Sequence, residues 1–189
     1  MKHSLGATTL VYPMPAFLVG TYDVNGRPDI MTAAWGGICC SEPPMLAVSI
    51  RKSRWTYEAL LVRKAFTINI PSAKLVAETD FAGMASGRKT DKFTKLNLTA
   101  AHSELVDAPY VAQCPVIVEL DVHSSQELGS HVQFIGEIRD VKIDGDCLDA
   151  DGKPVLAKIN PLLFDVGACQ YHVVGDACGT AFDKGRIPR

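Results

Sequence analysis

Short apolar stretches closed by proline or glycine recur along this sequence, with no regular alternation of strand and helix patterns between them. Residues 16–22 are apolar and then alternating, with Pro13 and Pro15 ahead of them and Asn25-Gly26, a favoured tight turn, behind. Residues 24–29 read as a hairpin-like connection into a second strand over 29–38. A third strand, 45–50, follows Pro43-Pro44. Phe66-Thr67-Ile68-Asn69-Ile70 alternates as a half-buried strand does. Longer candidates cover 115–122 and 132–143, with a shorter one at 162–166. Helical spacing is confined to 53–62, where Ser53 can cap, to the stretch after Ser72 with Leu75, Val76 and Thr79 on one face, and to a turn at 91–96. Many short strands with Gly/Pro turns predict a mainly β chain, closed or nearly closed as an antiparallel barrel. A doubly wound sheet is excluded by the missing alternation, and neither G-x-G-x-x-G nor a Walker loop occurs.

At 189 residues the chain fits one domain able to bury a core without staples. Its 19 basic and 21 acidic residues give a net charge of −2. That excludes the dominant positive field that nucleic acid or an acidic membrane surface requires. No apolar run reaches transmembrane length. Gly6, Thr8, Thr9 and Pro13 interrupt any apolar leader, so the expected location is cytoplasmic. Six cysteines, none in a C-x-x-C or zinc-finger spacing, are expected as reduced and mostly buried thiols, with no metal site.

Four segments carry candidate chemistry. Ser49-Ile50-Arg51-Lys52-Ser53-Arg54-Trp55-Thr56-Tyr57 ends a strand and begins a helix. Cations and hydroxyls beside the free N–H groups of a helix start suit a single phosphate. A capped helix with a solvated basic shoulder has the same sequence. Ser86-Gly87-Arg88-Lys89-Thr90-Asp91-Lys92-Phe93 suits an anion in the same way, or is a plain surface loop. Met31-Thr32-Ala33-Ala34-Trp35-Gly36-Gly37 sets one tryptophan among small residues. A flat ring could lie there against the backbone, and a packed core tryptophan fits equally. His131, after Leu128-Gly129-Ser130, is a titratable group near neutral pH, or an ordinary strand histidine. The carboxylates Glu58, Glu78, Asp80, Glu104 and Glu119 form no spacing that demands acid–base work.

In order, these pieces resemble the flavin reductase-like family with the FMN-binding split β-barrel, and within it the flavoredoxin group. The matching residues are Pro13-x-Pro15 with Leu18-Val19-Gly20-Thr21, Met31 to Gly37, Pro43-Pro44 with Val48 to Arg54 and Thr56-Tyr57. They continue as Asn69-Ile70-Pro71-Ser72, Ser86-Gly87 with Asp91-Lys92-Phe93, Ala108-Pro109, Cys114-Pro115-Val116, Leu128-Gly129-x-His131, Phe134-x-Gly136-Glu137-Ile138, Pro161-Leu162 and Tyr171. The resemblance spans roughly 10 to 175, so residues 1–175 are taken as the domain and 176–189 as a C-terminal tail.

That resemblance implies a six-stranded Greek-key barrel with a few short helices, a homodimer, and one FMN per subunit. Thr32, Ala33, Ala34 and Trp35 would line its ring. Ser49, Arg51, Ser53 and Thr56 would hold its phosphate or ribityl chain, with Ser86, Gly87, Lys89 and Lys92 adding contacts. Phe164 would cover the ring, and His131 would lie near it as the catalytic candidate. The family usually carries asparagine where this chain has Asp29, a carboxylate that would disfavour the reduced anion. The implied function is an FMN-dependent oxidoreductase passing electrons from NADH, NADPH or a reduced redox protein to a flavin, a protein or a metal complex. A flavoredoxin-type carrier not reduced by nicotinamide, and a non-redox binding module on the same barrel, are the alternatives.

Overall fold

The computed structural model describes residues 1–181; residues 182–189, part of the expected tail, lie outside the described residues. The chain opens with β1 (Met14–Pro15), β2 (Phe17–Tyr22), β3 (Pro28–Ala33), β4 (Gly36–Ser41) and β5 (Pro44–Arg51), then α1 (Trp55–Arg63) and β6 (Ala65–Ile70). The helices α2 (Val76–Met84) and α3 (Lys92–Lys95) lead into the short strands β7 (Ala100–His102) and β8 (Pro109–Val111). The long hairpin β9 (Val116–Leu128) and β10 (His131–Ile143) precedes α4 (Leu156–Ile159), β11 (Leu162–Asp165) and β12 (Gln170–Val173).

Seven strands form one antiparallel sheet in the order β3-β2-β6-β9-β10-β5-β4. Its two edges, β3 and β4, are joined through only Ala34 and Trp35. The three Cα steps from Ala33 to Gly36 span no more than about 11 Å, so the sheet must roll until its edges nearly meet. Ser49 N–H donates to Trp35 O at 2.8 Å and fastens that seam. The result is a split β-barrel. The expected strand 29–38 is therefore two strands broken at Ala34-Trp35, which raises the count from six to seven.

Period-two alternation sorts neighbouring residues into different cores. Val19, Met31, Val48, Phe66, Ile68, Leu120 and Phe134 fill the barrel with Leu60 of α1. Leu18, Ile30 and Ile117, one position from the barrel residues Val19, Met31 and Val118, face outward and are covered by Leu75, Ala82 of α2 and Phe93 of α3. Gly136 is required where β10 crosses Phe66: a Cβ there would come within 2.7 Å of the ring.

Other expectations change in detail. The strand at 115–122 runs on to Leu128 through exposed polar residues. Arg54, not Ser53, is the N-cap of α1, and no side chain caps it. Ser72 starts a 3-10 turn and likewise makes no capping bond. The thiols are not mostly buried: only Cys114 and Cys147 are, while Cys39, Cys169 and Cys178 are exposed. Burial pushes the Cys114 thiol up to about 12, so it is inert at neutral pH. Among the described residues no helix is long and apolar enough to cross a membrane.

Candidate functional site

The seam of the barrel opens into a cleft of about 520 Å³. One wall is β3 with the Ala34-Trp35 connection. A second is the end of β5 and the start of α1. The loop after α2, Lys92 of α3 and His131 of β10 complete it. These segments meet here because the sheet rolls edge to edge, which brings β3, at one end of the strand order, beside β4 and its neighbour β5 at the other.

Of the expected residues, Asp29, Thr32, Ala33, Ala34, Trp35, Ser49, Arg51, Ser53, Thr56, Ser86, Gly87, Lys92 and His131 line this cleft. Two do not. Lys89 is exposed on the loop and outside the lining; its backbone N–H donates to Ser86 O at 3.0 Å, which turns the chain away. Phe164 lines an adjoining cavity of about 210 Å³ that shares Thr32, Ala34, Trp35 and Arg54 with the cleft. Its ring packs on Tyr171, with centroids 5.6 Å apart. Arg54, Trp55, Met31, Ile50 and Ala85 line the cleft without having been singled out. Arg54 and Trp55 stand inside the 49–57 segment, so their type and place were a usable signal.

The helix end has the donors expected of an anion site. Arg54 at the N-cap offers no side-chain acceptor to the first turn, leaving N–H groups at the positive end of a nine-residue helix open to a ligand. The Arg54 guanidinium donates to Gly83 O at 2.9 Å, tying α1 to α2. Thr56 is buried in the first turn. The Thr32 hydroxyl, by contrast, donates to Thr79 O and is committed to holding α2 on β3.

Lys92 and Asp29 are both buried and form an ion pair, Nζ to Oδ1 at 3.3 Å. Lys92 also donates to Ile30 O. Burial pushes the Asp29 pKa up, against the Lys92 cation that pulls it down. Burial pushes Lys92 down, against Asp29. Lys92, expected to contact the cofactor, thus lines the cleft already paired with a buried carboxylate. Asp29 Oδ2 is buried without a hydrogen-bond partner, and so is Trp55 Nε1. Both lie at Gly87, where a Cβ would meet Oδ2 at 2.3 Å and Trp55 Cδ1 at 2.7 Å. Arg27 holds that glycine from behind by donating to its carbonyl.

At the mouth, Trp35 is 40% exposed and His131 is stacked beside it. Ser130 Oγ lies 2.9 Å from His131 Nδ1, which leaves Nε2 available to a ligand. Burial, and then the Arg51 cation, lower the His131 pKa, so the ring is neutral at pH 7.

The chain matches the Flavin reductase like domain over residues 9–170. It is similar to the solved flavoredoxin of Desulfovibrio vulgaris (Miyazaki F), with 51% identity and a TM-score of 0.94 over 98% of this chain and 100% of that one. Flavoredoxin from Methanosarcina acetivorans is 31% identical, with a TM-score of 0.90 over 98% of each chain. At 23% identity and a TM-score of 0.79, an FMN-binding protein from Thermus thermophilus shares the fold over 95% of this chain and 97% of that one. A rolled, split sheet with its cleft at the seam and a match that runs through nearly every strand make the chain a member of the flavin reductase-like family.

Proposed function

We propose that this protein holds FMN in the cleft at the barrel seam and passes electrons through it from a reduced donor to an acceptor. The observation that carries this reading is one cleft lined by two unlike sets of groups. The first is an uncapped helix N-terminus with Arg51, Ser53 and Arg54, and the second is Trp35 beside small residues. A dianionic phosphate suits the first and a flat tricyclic ring the second. The volume of about 520 Å³ falls in the range of roughly 300–1,000 Å³ usual for small-molecule sites. The orphaned acceptor Asp29 Oδ2, the orphaned donor Trp55 Nε1 and the hollow at Gly87 fit a polar, planar ligand edge.

Bound FMN would supply the redox chemistry, accepting electrons from one partner and yielding them to another. The residues of the chain bind and orient. Arg51, Ser53 and the first turn of α1 would hold the phosphate, with Thr56 beside them. Ala33, Ala34 and Trp35 would flank the ring, and Ser86 and Gly87 would close over it. Neutral His131 would offer Nε2 at the mouth, where a donor arrives. Phe164, one cavity away, would support Trp35 from behind.

NADH or NADPH is the proposed donor. A shallow approach over the mouth suffices, because the chain carries no dinucleotide-binding loop. A second reading, a flavoredoxin-type carrier reduced by another redox protein, is favoured by the 51% identity to a flavoredoxin over the whole of that chain. The exposed edge strand β4, with Ile38 68% exposed, supports a homodimer, which light scattering would test.

The purified protein should be yellow, or become so when FMN is added. Anaerobic mixing with NADH and NADPH should then bleach it. Bleaching by reduced ferredoxin alone would select the carrier. Failure to take up FMN would overturn both readings.

A further inference from the structure

Reduction of FMN by two electrons and one proton leaves the flavin with one more negative charge than it had. The wall of a flavin site therefore sets the reduction potential through its own charge. A cation favours the reduced form, and an anion or a neutralised cation does not. The cleft wall contains one buried cation, Lys92, and one buried anion, Asp29.

We infer that Asp29 is a potential-setting residue: it neutralises Lys92 at the cleft wall and so holds the bound flavin at a lower reduction potential than Lys92 alone would give. This rests on the FMN reading above.

The geometry favours this over a purely structural role. Asp29 Oδ1 meets Lys92 Nζ at 3.3 Å, while Oδ2 makes no hydrogen bond at all. A carboxylate placed only to hold α3 against β3 would be expected to satisfy both oxygens, since an unpaired buried acceptor is costly. Lys92 already has a second anchor on β3 through Ile30 O, so the helix does not depend on the carboxylate for attachment. Both residues line the cleft. Gly87 lies against Oδ2 where any side chain would collide, which keeps that carboxylate at the cavity boundary instead of covering it. Both groups are buried, so the charge of each acts on the cleft with less screening than that of the exposed Arg51, and cancelling one by the other matters more.

The test is an anaerobic redox titration of the FMN-loaded protein with dithionite as reductant. The wild type is compared with Asp29→Asn, Asp29→Ser and the double variant Asp29→Asn with Lys92→Gln. Either single variant should raise the two-electron midpoint by about 30 mV, equal to about tenfold tighter relative binding of the reduced cofactor. The double variant should return toward the wild-type value, which a merely structural role for Asp29 would not produce. Affinity for oxidised FMN, read by fluorescence quenching, is measured alongside, so that each midpoint is taken on fully loaded protein. Midpoints unmoved in both single variants would overturn the inference, as would a double variant displaced as far as Asp29→Asn. A wild type that binds no FMN would instead overturn the FMN reading itself.

Discussion

The rings of Trp35 and His131 lie nearly parallel at the cleft mouth, with centroids 6.1 Å apart and planes inclined by 21°. Their strands explain the meeting. Trp35 is fixed to β5 through Ser49, and His131 pairs with Arg51 in the next strand over. The imidazole is thereby held against an indole and beside a guanidinium; burial, and then the Arg51 cation, disfavour its charged form.

His131 should accordingly titrate below 6.5. Burial is the larger cause and Arg51 the second, so Arg51→Gln should move the midpoint only part of the way back. The linkage has a definite sign. A histidine with a depressed folded pKa gives its full contribution above 6.5 and loses it as pH falls through the folded midpoint. The ring resonances of His131, followed by NMR across mildly acid pH, check both statements.

Trp35→Ala should separate binding from folding. The side chain is 40% exposed, so its removal costs the barrel little. As a proposed ring platform it should contribute about 0.5–1.5 kcal/mol to stacking. FMN should dissociate up to about tenfold more readily, while the melting temperature barely moves. A large loss of stability with unchanged FMN affinity would assign Trp35 to the core.

The Asp29–Lys92 pair predicts unequal stabilities. Lys92→Ala leaves a buried carboxylate without its cation, which costs about 3–5 kcal/mol in comparable pairs. Replacing both charges together, as in Asp29→Asn with Lys92→Gln, removes two desolvation penalties and should be near neutral. The pH signs oppose each other. The raised Asp29 pKa means stability present at low pH and lost as pH rises through its folded value. The lowered Lys92 pKa means stability present at high pH and lost as pH falls through its folded value. Urea midpoints of the wild type and the two variants at neutral pH test the ordering.

Much of this architecture could be read in advance because alternation and turn chemistry are local. Phe66 to Ile70 alternates in sequence and in space, and Asn25-Gly26 does sit at the β2–β3 turn. The 31–37 and 49–57 segments stood out by their residue types, while Asp29 and the individual cleft residues were legible through the family resemblance. What escaped depends on tertiary partners. β12, Gln170–Val173, is short and largely exposed and becomes a strand only by pairing with β11. The break at Ala34-Trp35 follows from sheet closure, which no window of residues encodes. The basic segment 86–93 read as an anion site or as a plain surface loop, and neither reading pairs Lys92 with a buried carboxylate. The burial of Lys92 follows from α3 packing on β3, which sets it against Asp29, 63 positions earlier in the chain. Lys89, three residues before it, remains on the surface.

Asn69 provides a last check on how the barrel is stitched to the segment outside it. Its Nδ2 donates to Leu18 O at 2.8 Å and to Thr67 Oγ1 at 2.9 Å, while Oδ1 accepts Val111 N–H at 2.7 Å. The Thr67 hydroxyl in turn donates to Pro109 O at 2.6 Å. One buried amide therefore joins β2, β6 and β8 with both its donor and acceptor groups in use. Asn69→Leu is close in volume but strands the Val111 N–H, at a cost of about 1–3 kcal/mol. Thr67→Val should cost less, since it removes one hydroxyl and leaves the amide bonded to both strands. Urea denaturation should show the Asn69→Leu midpoint falling further than that of Thr67→Val with the slope unchanged, because neither variant alters the surface exposed on unfolding. Equal midpoints would mean that β8 is held by its apolar contacts alone.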